Sequence, residues 1–89
     1  MNNECVCDYC PDIMVEILKE VGRAEELHPD WPEDLIHASA IVCEESGELV
    51  RASLNHVYSN EKLENIRKEA IHTAATAIRM LKNITPGGL

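Results

Sequence analysis

The chain has 89 residues, contains no Phe and carries a formal net charge of −8. A domain this short buries only about 60–65% of the surface that its unfolded chain exposes, so a lone monomer would be marginally stable. Because residues 1–34 hold ten of the sixteen acids, the charge argues against a duplex nucleic-acid partner, which would require a basic surface.

Residues 1–11 form a polar leader with a C-x-C-x-x-C cluster made by Cys5, Cys7 and Cys10. A zinc site needs about four ligands, and Cys43 and His28 are candidates for the fourth. No second ligand pair accompanies the cluster, so reduced thiols on a loosely ordered leader fit the ligand count better than zinc does. No apolar run reaches about 18 residues and no secretory signal is visible, which predicts a cytoplasmic protein that does not enter a membrane.

A first helix is predicted over residues 12–27, because apolar residues recur there at helical spacing. The opposite face of this helix carries charged residues: Glu16, Lys19, Glu20 and Arg23. Two prolines, Pro29 and Pro32, then interrupt the helical pattern. Asp30 and Glu33 have the spacing of a capping box, which predicts Asp30 as the N-cap of the second helix.

The second helix is predicted from about residue 32 to residue 56 or 58. It is apolar almost all round, which predicts a central and buried position. Ser59 or Asn60 is then predicted to cap a third helix that ends near residue 83, before the Pro-Gly-Gly of the tail.

This pattern predicts an all-α fold, in which an antiparallel hairpin of helices two and three is joined by an N-terminal helix. The helical domain spans residues 12–83 and is followed by a tail, residues 84–89. Many Ala and few aromatic residues suit close helix packing, so we expect oligomerisation to complete the bundle.

Acidic residues recur with a three-residue spacing on the last two helices. Glu45 and Glu48 share a face of the second helix that also carries apolar side chains, and Glu69 and His72 repeat the spacing on the third. Like charges on such a face need a cation, a proton or a basic partner. The spacing favours a divalent-metal site between the two helices over neutralisation by a basic side chain.

These acids and their neighbours resemble the MazG-like all-α nucleotide pyrophosphohydrolases. The segment EESGEL at residues 44–49 is similar to the E-x-x-E half of the family signature, and Glu69 begins the second half, E-x-x-D. The resemblance covers roughly residues 30–81. It implies a homodimer or homotetramer, a requirement for Mg²⁺ and cleavage of a nucleoside triphosphate to the monophosphate and pyrophosphate.

By position, the resemblance assigns Glu45, Glu48 and Glu69 to the metal. Glu44 matches the extra leading Glu of the signature, which either supports a metal ligand or holds a catalytic water, and Glu44 and Glu45 are the predicted catalytic residues. Trp31 is similar in place to a Trp on which some members stack the base. We expect Arg79 either to contact the phosphates of the substrate or to complement the helix dipole.

His72 stands where the family pattern has Asp, which is a departure from the signature. Neutral imidazole suits Mn²⁺ better than Mg²⁺. The histidine therefore predicts one of three outcomes: a changed metal preference, an acid–base role for His72, or the loss of hydrolysis. Two alternatives to an enzyme therefore remain: a catalytically silent protein that binds nucleotide or metal, and a structural helical interaction module.

Overall fold

A computed structural model describes residues 10–84, which form three helices and no strand. Helix α1 spans Cys10–Leu27, α2 spans Leu35–Ser59 and α3 spans Leu63–Ile84, which confirms the predicted all-α class. None of these helices is long and apolar enough to cross a membrane. Cys5, Cys7 and the tail from residue 85 lie outside the described residues, so the predictions for the leader stay predictions.

Helix α3 occupies the centre of the chain, because both other helices pack against it. Among the residues described, no Cα atom of α1 lies within 8 Å of one in α2. The prediction that α2 is central and buried is therefore wrong for the single chain. Only Ala38 and Ala52 of α2 are buried, because α3 covers just one of its two apolar faces.

The hydrophobic core is small and lies between α1 and α3. Its buried members are Ile17, Val21 and Ala75, and no large side chain of the described residues is fully buried. Two exposed ion pairs, Arg67 with Glu16 and Lys82 with Glu25, also tie α1 to α3. Exposed pairs contribute only about 0–1 kcal/mol each, so little besides this core holds α1 in place.

Asp34, and not the predicted Asp30, caps the N-terminus of α2. Its Oδ1 accepts hydrogen bonds from the backbone N–H groups of Ile36 at 2.8 Å and His37 at 3.3 Å. A cap at Asp30 would place Trp31 in the first helical turn. Because the ring of the following proline disfavours helical backbone at Trp31, the helix begins later.

Asn60 ends α2, so the prediction that it or Ser59 caps α3 is wrong. Ser59 is the last residue of α2, and Asn60 has φ 58° and ψ 31°, in the left-handed region. Asn tolerates this conformation better than most residues because its short polar side chain hydrogen-bonds locally. The backbone N–H of Asn60 donates to the carbonyl of Asn55, which closes the last turn of α2.

We expect Asp34→Ala to lower the free energy of unfolding by about 0.5–2 kcal/mol, because two N–H groups at the start of α2 lose their acceptor. Asp30→Ala removes the same charge four residues earlier and should change stability by less than about 0.5 kcal/mol. Urea denaturation followed by circular dichroism measures both variants. Equal losses of stability in the two would contradict the capping role of Asp34.

Candidate metal centre

The structure brings three of the predicted ligands together where α2 faces α3. One ligand atom from each of Glu45, Glu69 and His72 lies within 4.8 Å of the others, and all three side chains are half-buried. Ligand atoms on opposite sides of one Mg²⁺ ion are about 4 Å apart. Small side-chain adjustments would therefore place these three groups, hereafter the acid cluster, around a single ion.

Two carboxylate oxygens of the acid cluster are buried without a hydrogen-bond partner, Glu45 Oε2 and Glu69 Oε1. His72 Nδ1 lies 3.4 Å from Glu69 Oε1. The two atoms are within ion-pair distance, but they do not form a hydrogen bond. Burying a charged oxygen without such a partner is costly. The chemistry of the donors, two carboxylates and an imidazole, fits a divalent cation.

The electrostatic surroundings of Glu45 disfavour its ionised form. Burial raises the pKa of the Glu45 carboxyl above its ordinary value, and the charge of Glu48 raises it further. His72 acts in the opposite direction, while Glu69 and Glu20 add smaller increases. An ion bound among these side chains would offset the repulsion between them.

Glu20 of α1 belongs to these surroundings, although the sequence placed it on the outer, polar side of the first helix. Its Oε2 lies 3.5 Å from His72 Nε2, so the imidazole stands between Glu20 and Glu69. Arg23 donates two hydrogen bonds to the Glu20 carboxylate, at 2.8 and 2.6 Å. These bonds hold the pKa of Glu20 below its ordinary value. The only local signal for this role is that Glu20 borders the apolar face beside Val21.

Glu44 and Glu48 lie outside the acid cluster. Both side chains are exposed, and neither contributes to the group of ligand atoms within 4.8 Å. Glu48 is nevertheless close enough to raise the pKa of Glu45. The structure thus joins three of the four predicted metal ligands and leaves the fourth at the edge of the site.

A cavity of about 410 Å³ opens beside the acid cluster, and both predicted substrate-binding residues line it together with Glu45 and His72. We call it the Trp31 cavity. Trp31 is half-buried, whereas Arg79 is only 8% exposed.

The guanidinium of Arg79 contacts two parts of the segment that connects α1 to α2, the ring of Trp31 and the backbone of His28. Its central carbon lies 5.1 Å from the centre of the Trp31 ring, and Nη2 donates to the carbonyl of His28. Nε of Arg79 is buried without a partner. Arg79 therefore fixes the α1–α2 connector to α3 and covers one face of the indole, so a stacked base would have to use the other face.

Comparisons with protein-family models, with curated proteins and with solved structures each found no match for this chain. The resemblance to the MazG-like enzymes therefore rests on the motif residues alone and stays a prediction. What the site does has to be argued from its own geometry.

We expect Glu45→Gln to raise the melting temperature of the metal-free protein near neutral pH, by roughly 2–4 °C. A change of 1 kcal/mol shifts the melting temperature of a domain this size by about 4–8 °C, and solvent screening of a half-exposed carboxylate leaves only part of that. Because the folded-state pKa of Glu45 is raised, the wild type recovers stability as the pH falls through that pKa. The advantage of the variant should therefore disappear in acid.

Thermal unfolding in a chelating buffer, at several pH values and one protein concentration, measures this difference. Glu61→Gln, at an exposed position in the α2–α3 connection, is the matched control and should melt with the wild type. If Glu45→Gln melts below the wild type at every pH, the ionised carboxylate is stabilised by the fold and the account of its surroundings is wrong.

Proposed function

We propose that the protein is a divalent-metal-dependent hydrolase that cleaves a nucleoside triphosphate to the monophosphate and pyrophosphate. The observation that carries the proposal is the pair of buried, unpartnered oxygens of Glu45 and Glu69 beside His72. The adjoining Trp31 cavity supports it, since an aromatic wall suits a nucleoside base.

Glu45, Glu69 and His72 would hold the metal ion, with Glu48 on the exposed side of the same ion. Carboxylate oxygens suit Mg²⁺, and the imidazole favours Mn²⁺ more than a third carboxylate would. A bound ion supplies charge neutralisation for the phosphates and lowers the pKa of a bound water. The buried oxygens explain why such an ion would be retained.

In the proposed reaction, a water oxygen bonds to the α-phosphorus of the substrate, and the bond between that phosphorus and the α–β bridging oxygen breaks. Pyrophosphate leaves with the electron pair of that bond. Of the two predicted catalytic carboxylates, Glu45 lies in the acid cluster, so we assign it to hold the attacking water and to accept its proton. Glu44 is exposed at the preceding position of α2 and would act on that water from outside the cluster. The free face of Trp31 would orient the base, and Arg79 would keep that ring in position.

We also propose that the protein assembles as a homodimer or homotetramer, in which the α2–α3 hairpin is the antiparallel building unit. Helix α2 carries exposed residues at alternating spacings of four and three, as helices do that pack along one another. These residues lie on the face of α2 that α3 does not cover, and we call them the α2 stripe: Ile36, Ala40, Cys43, Gly47, Val50, Leu54 and Val57. Ile36 is 82% exposed and Val57 is 69% exposed in the single chain, so a second copy of α2 would remove a large apolar surface from water.

A Cβ atom added at Gly47 would meet nothing within 4 Å in the single chain. Small side chains at Ala40, Cys43 and Gly47 leave room for the backbone of a neighbouring helix. The middle of the stripe is therefore suited to close approach by a second copy.

A second candidate function is a helical protein without metal chemistry. Its support is the position of His72, whose two ring nitrogens lie 3.5 Å from Glu20 and 3.4 Å from Glu69. One imidazolium carries a single positive charge, so it would offset the charge of one of these two carboxylates without any ion. The two functions differ in whether divalent cations stabilise the fold.

We expect Glu69→Gln to lower kcat/KM for nucleoside triphosphate hydrolysis by roughly 100-fold or more, because the metal loses a ligand. Glu61→Gln removes a charge from an exposed position and should retain activity. Formation of nucleoside monophosphate and pyrophosphate, measured with Mg²⁺ and with Mn²⁺ over a panel of nucleoside triphosphates, tests both variants. Unchanged turnover in Glu69→Gln, or no turnover by the wild type in any combination, would contradict the proposal.

We expect Leu54→Glu to shift the protein toward monomer and to weaken self-association by about tenfold or more, since the variant places a charge inside an apolar contact. Leu18→Glu makes the same change on α1, where Leu18 is 55% exposed, and should leave the assembly intact. Sedimentation velocity over a range of concentrations measures the masses. A monomeric wild type, or equal effects of the two variants, would rule out the α2 stripe as the contact.

A further inference from the structure

A groove of about 510 Å³ lies between α1 and α3, next to the acid cluster. Four of the eight Lys and Arg residues of the chain line it, namely Lys19, Arg23, Arg67 and Lys68. Three acids, Glu16, Glu20 and Glu64, also line it, so the groove has a small positive balance in a chain whose net charge is −8. We call it the cationic groove.

The cationic groove and the Trp31 cavity meet at the acid cluster. Glu20, Arg23 and His72 line both of them. The proposed metal position therefore has an aromatic cavity on one side and basic side chains on the other. A molecule with an aromatic end and an anionic end would place its middle at the metal.

Two of the four basic residues are already engaged by carboxylates of the groove. Arg67 contacts both oxygens of Glu16, and Arg23 contacts both oxygens of Glu20. Within residues 10–84, no ion pair involves Lys19 or Lys68. Besides the arginine hydrogen bonds, the charge of Lys19 lowers the pKa of Glu16, and that of Lys68 lowers the pKa of Glu20. Without an ion pair, these two ammonium groups are nevertheless the least committed cations of the groove.

We infer that the cationic groove binds the β- and γ-phosphates of the substrate, with Lys19 and Lys68 as their direct partners. The placement of the substrate rests on the proposed function: the nucleoside lies in the Trp31 cavity and the α-phosphate lies at the acid cluster. Lysine binds phosphate as a point charge, and Lys19 and Lys68 are the two bases of the groove that no ion pair holds. Arg79, which is committed to Trp31 and His28, is then a positioning residue and not a phosphate ligand.

This placement of the substrate would favour a triphosphate over a diphosphate. A triphosphate extends two phosphates beyond the bond that breaks, and both would lie in the cationic groove. A diphosphate extends only one and would lose part of the attraction to Lys19 and Lys68. The same groove would be the route by which pyrophosphate leaves.

The test is the affinity of inorganic tripolyphosphate in the presence of Mg²⁺, measured by titration calorimetry without any nucleoside. The double variant Lys19→Gln/Lys68→Gln should bind it at least tenfold more weakly than the wild type. Arg51→Gln/Lys62→Gln is the matched control, because it removes two exposed cations that line neither the groove nor the Trp31 cavity. The control should bind within about threefold of the wild type, and melting curves confirm that each variant is folded.

Absence of tripolyphosphate binding by the wild type, or equal weakening in the two double variants, would overturn the inference. Hydrolysis of a nucleoside triphosphate is followed separately on the same proteins. Turnover that survives in Lys19→Gln/Lys68→Gln with an unchanged KM would overturn the groove while leaving the proposed hydrolase intact. Tripolyphosphate binding that depends on Lys19 and Lys68, without turnover by the wild type, would sustain the groove and refute the hydrolase.

Discussion

Repulsion among the carboxylates where the three helices meet is the constraint on which the rest of the structure depends. Glu20, Glu45 and Glu69 come from three different helices and surround one imidazole, His72. Two of their oxygens are buried without a partner, so the charges cost stability until a cation or a proton compensates them. The apolar core lies to one side of this junction, between α1 and α3, and its buried members among the described residues are Ile17, Val21 and Ala75. In the single chain, the carboxylates therefore lack a compensating positive charge, and part of the apolar surface stays exposed to water.

The three helices are arranged around this junction. Helix α3 carries two of the cluster residues and contacts both other helices, while α1 and α2 face each other across the Trp31 cavity without close backbone approach. Arg79 spans that space by contacting Trp31 and the carbonyl of His28. Because α1 supplies one wall of both the cavity and the cationic groove yet is held by a small core, ligands at these positions would also secure α1.

Much of this arrangement follows from local sequence signals. Apolar spacing and the prolines predicted three helices to within a few residues, and the i, i+3 pairs predicted that Glu45 would meet Glu69 and His72. The caps at Asp34 and Asn60 were missed because they depend on the pre-proline backbone and on a left-handed residue. Glu20 was missed for a different reason: the rotation of α1 against α3 is set by tertiary packing and leaves no pattern in its own sequence. The prediction that α2 is buried all round is met on only one face, which is the face toward α3.

The central claim is that the acid cluster binds a divalent cation together with a nucleotide. Thermal melting of the wild type with Mg²⁺ or Mn²⁺, alone and with each of a panel of nucleotides, tests it most directly, since a ligand that binds only the folded state raises the melting temperature by mass action. The account predicts a rise that requires the metal, increases with a triphosphate and is absent in Glu45→Gln. No rise with any metal or nucleotide would contradict it and favour a helical module without metal chemistry.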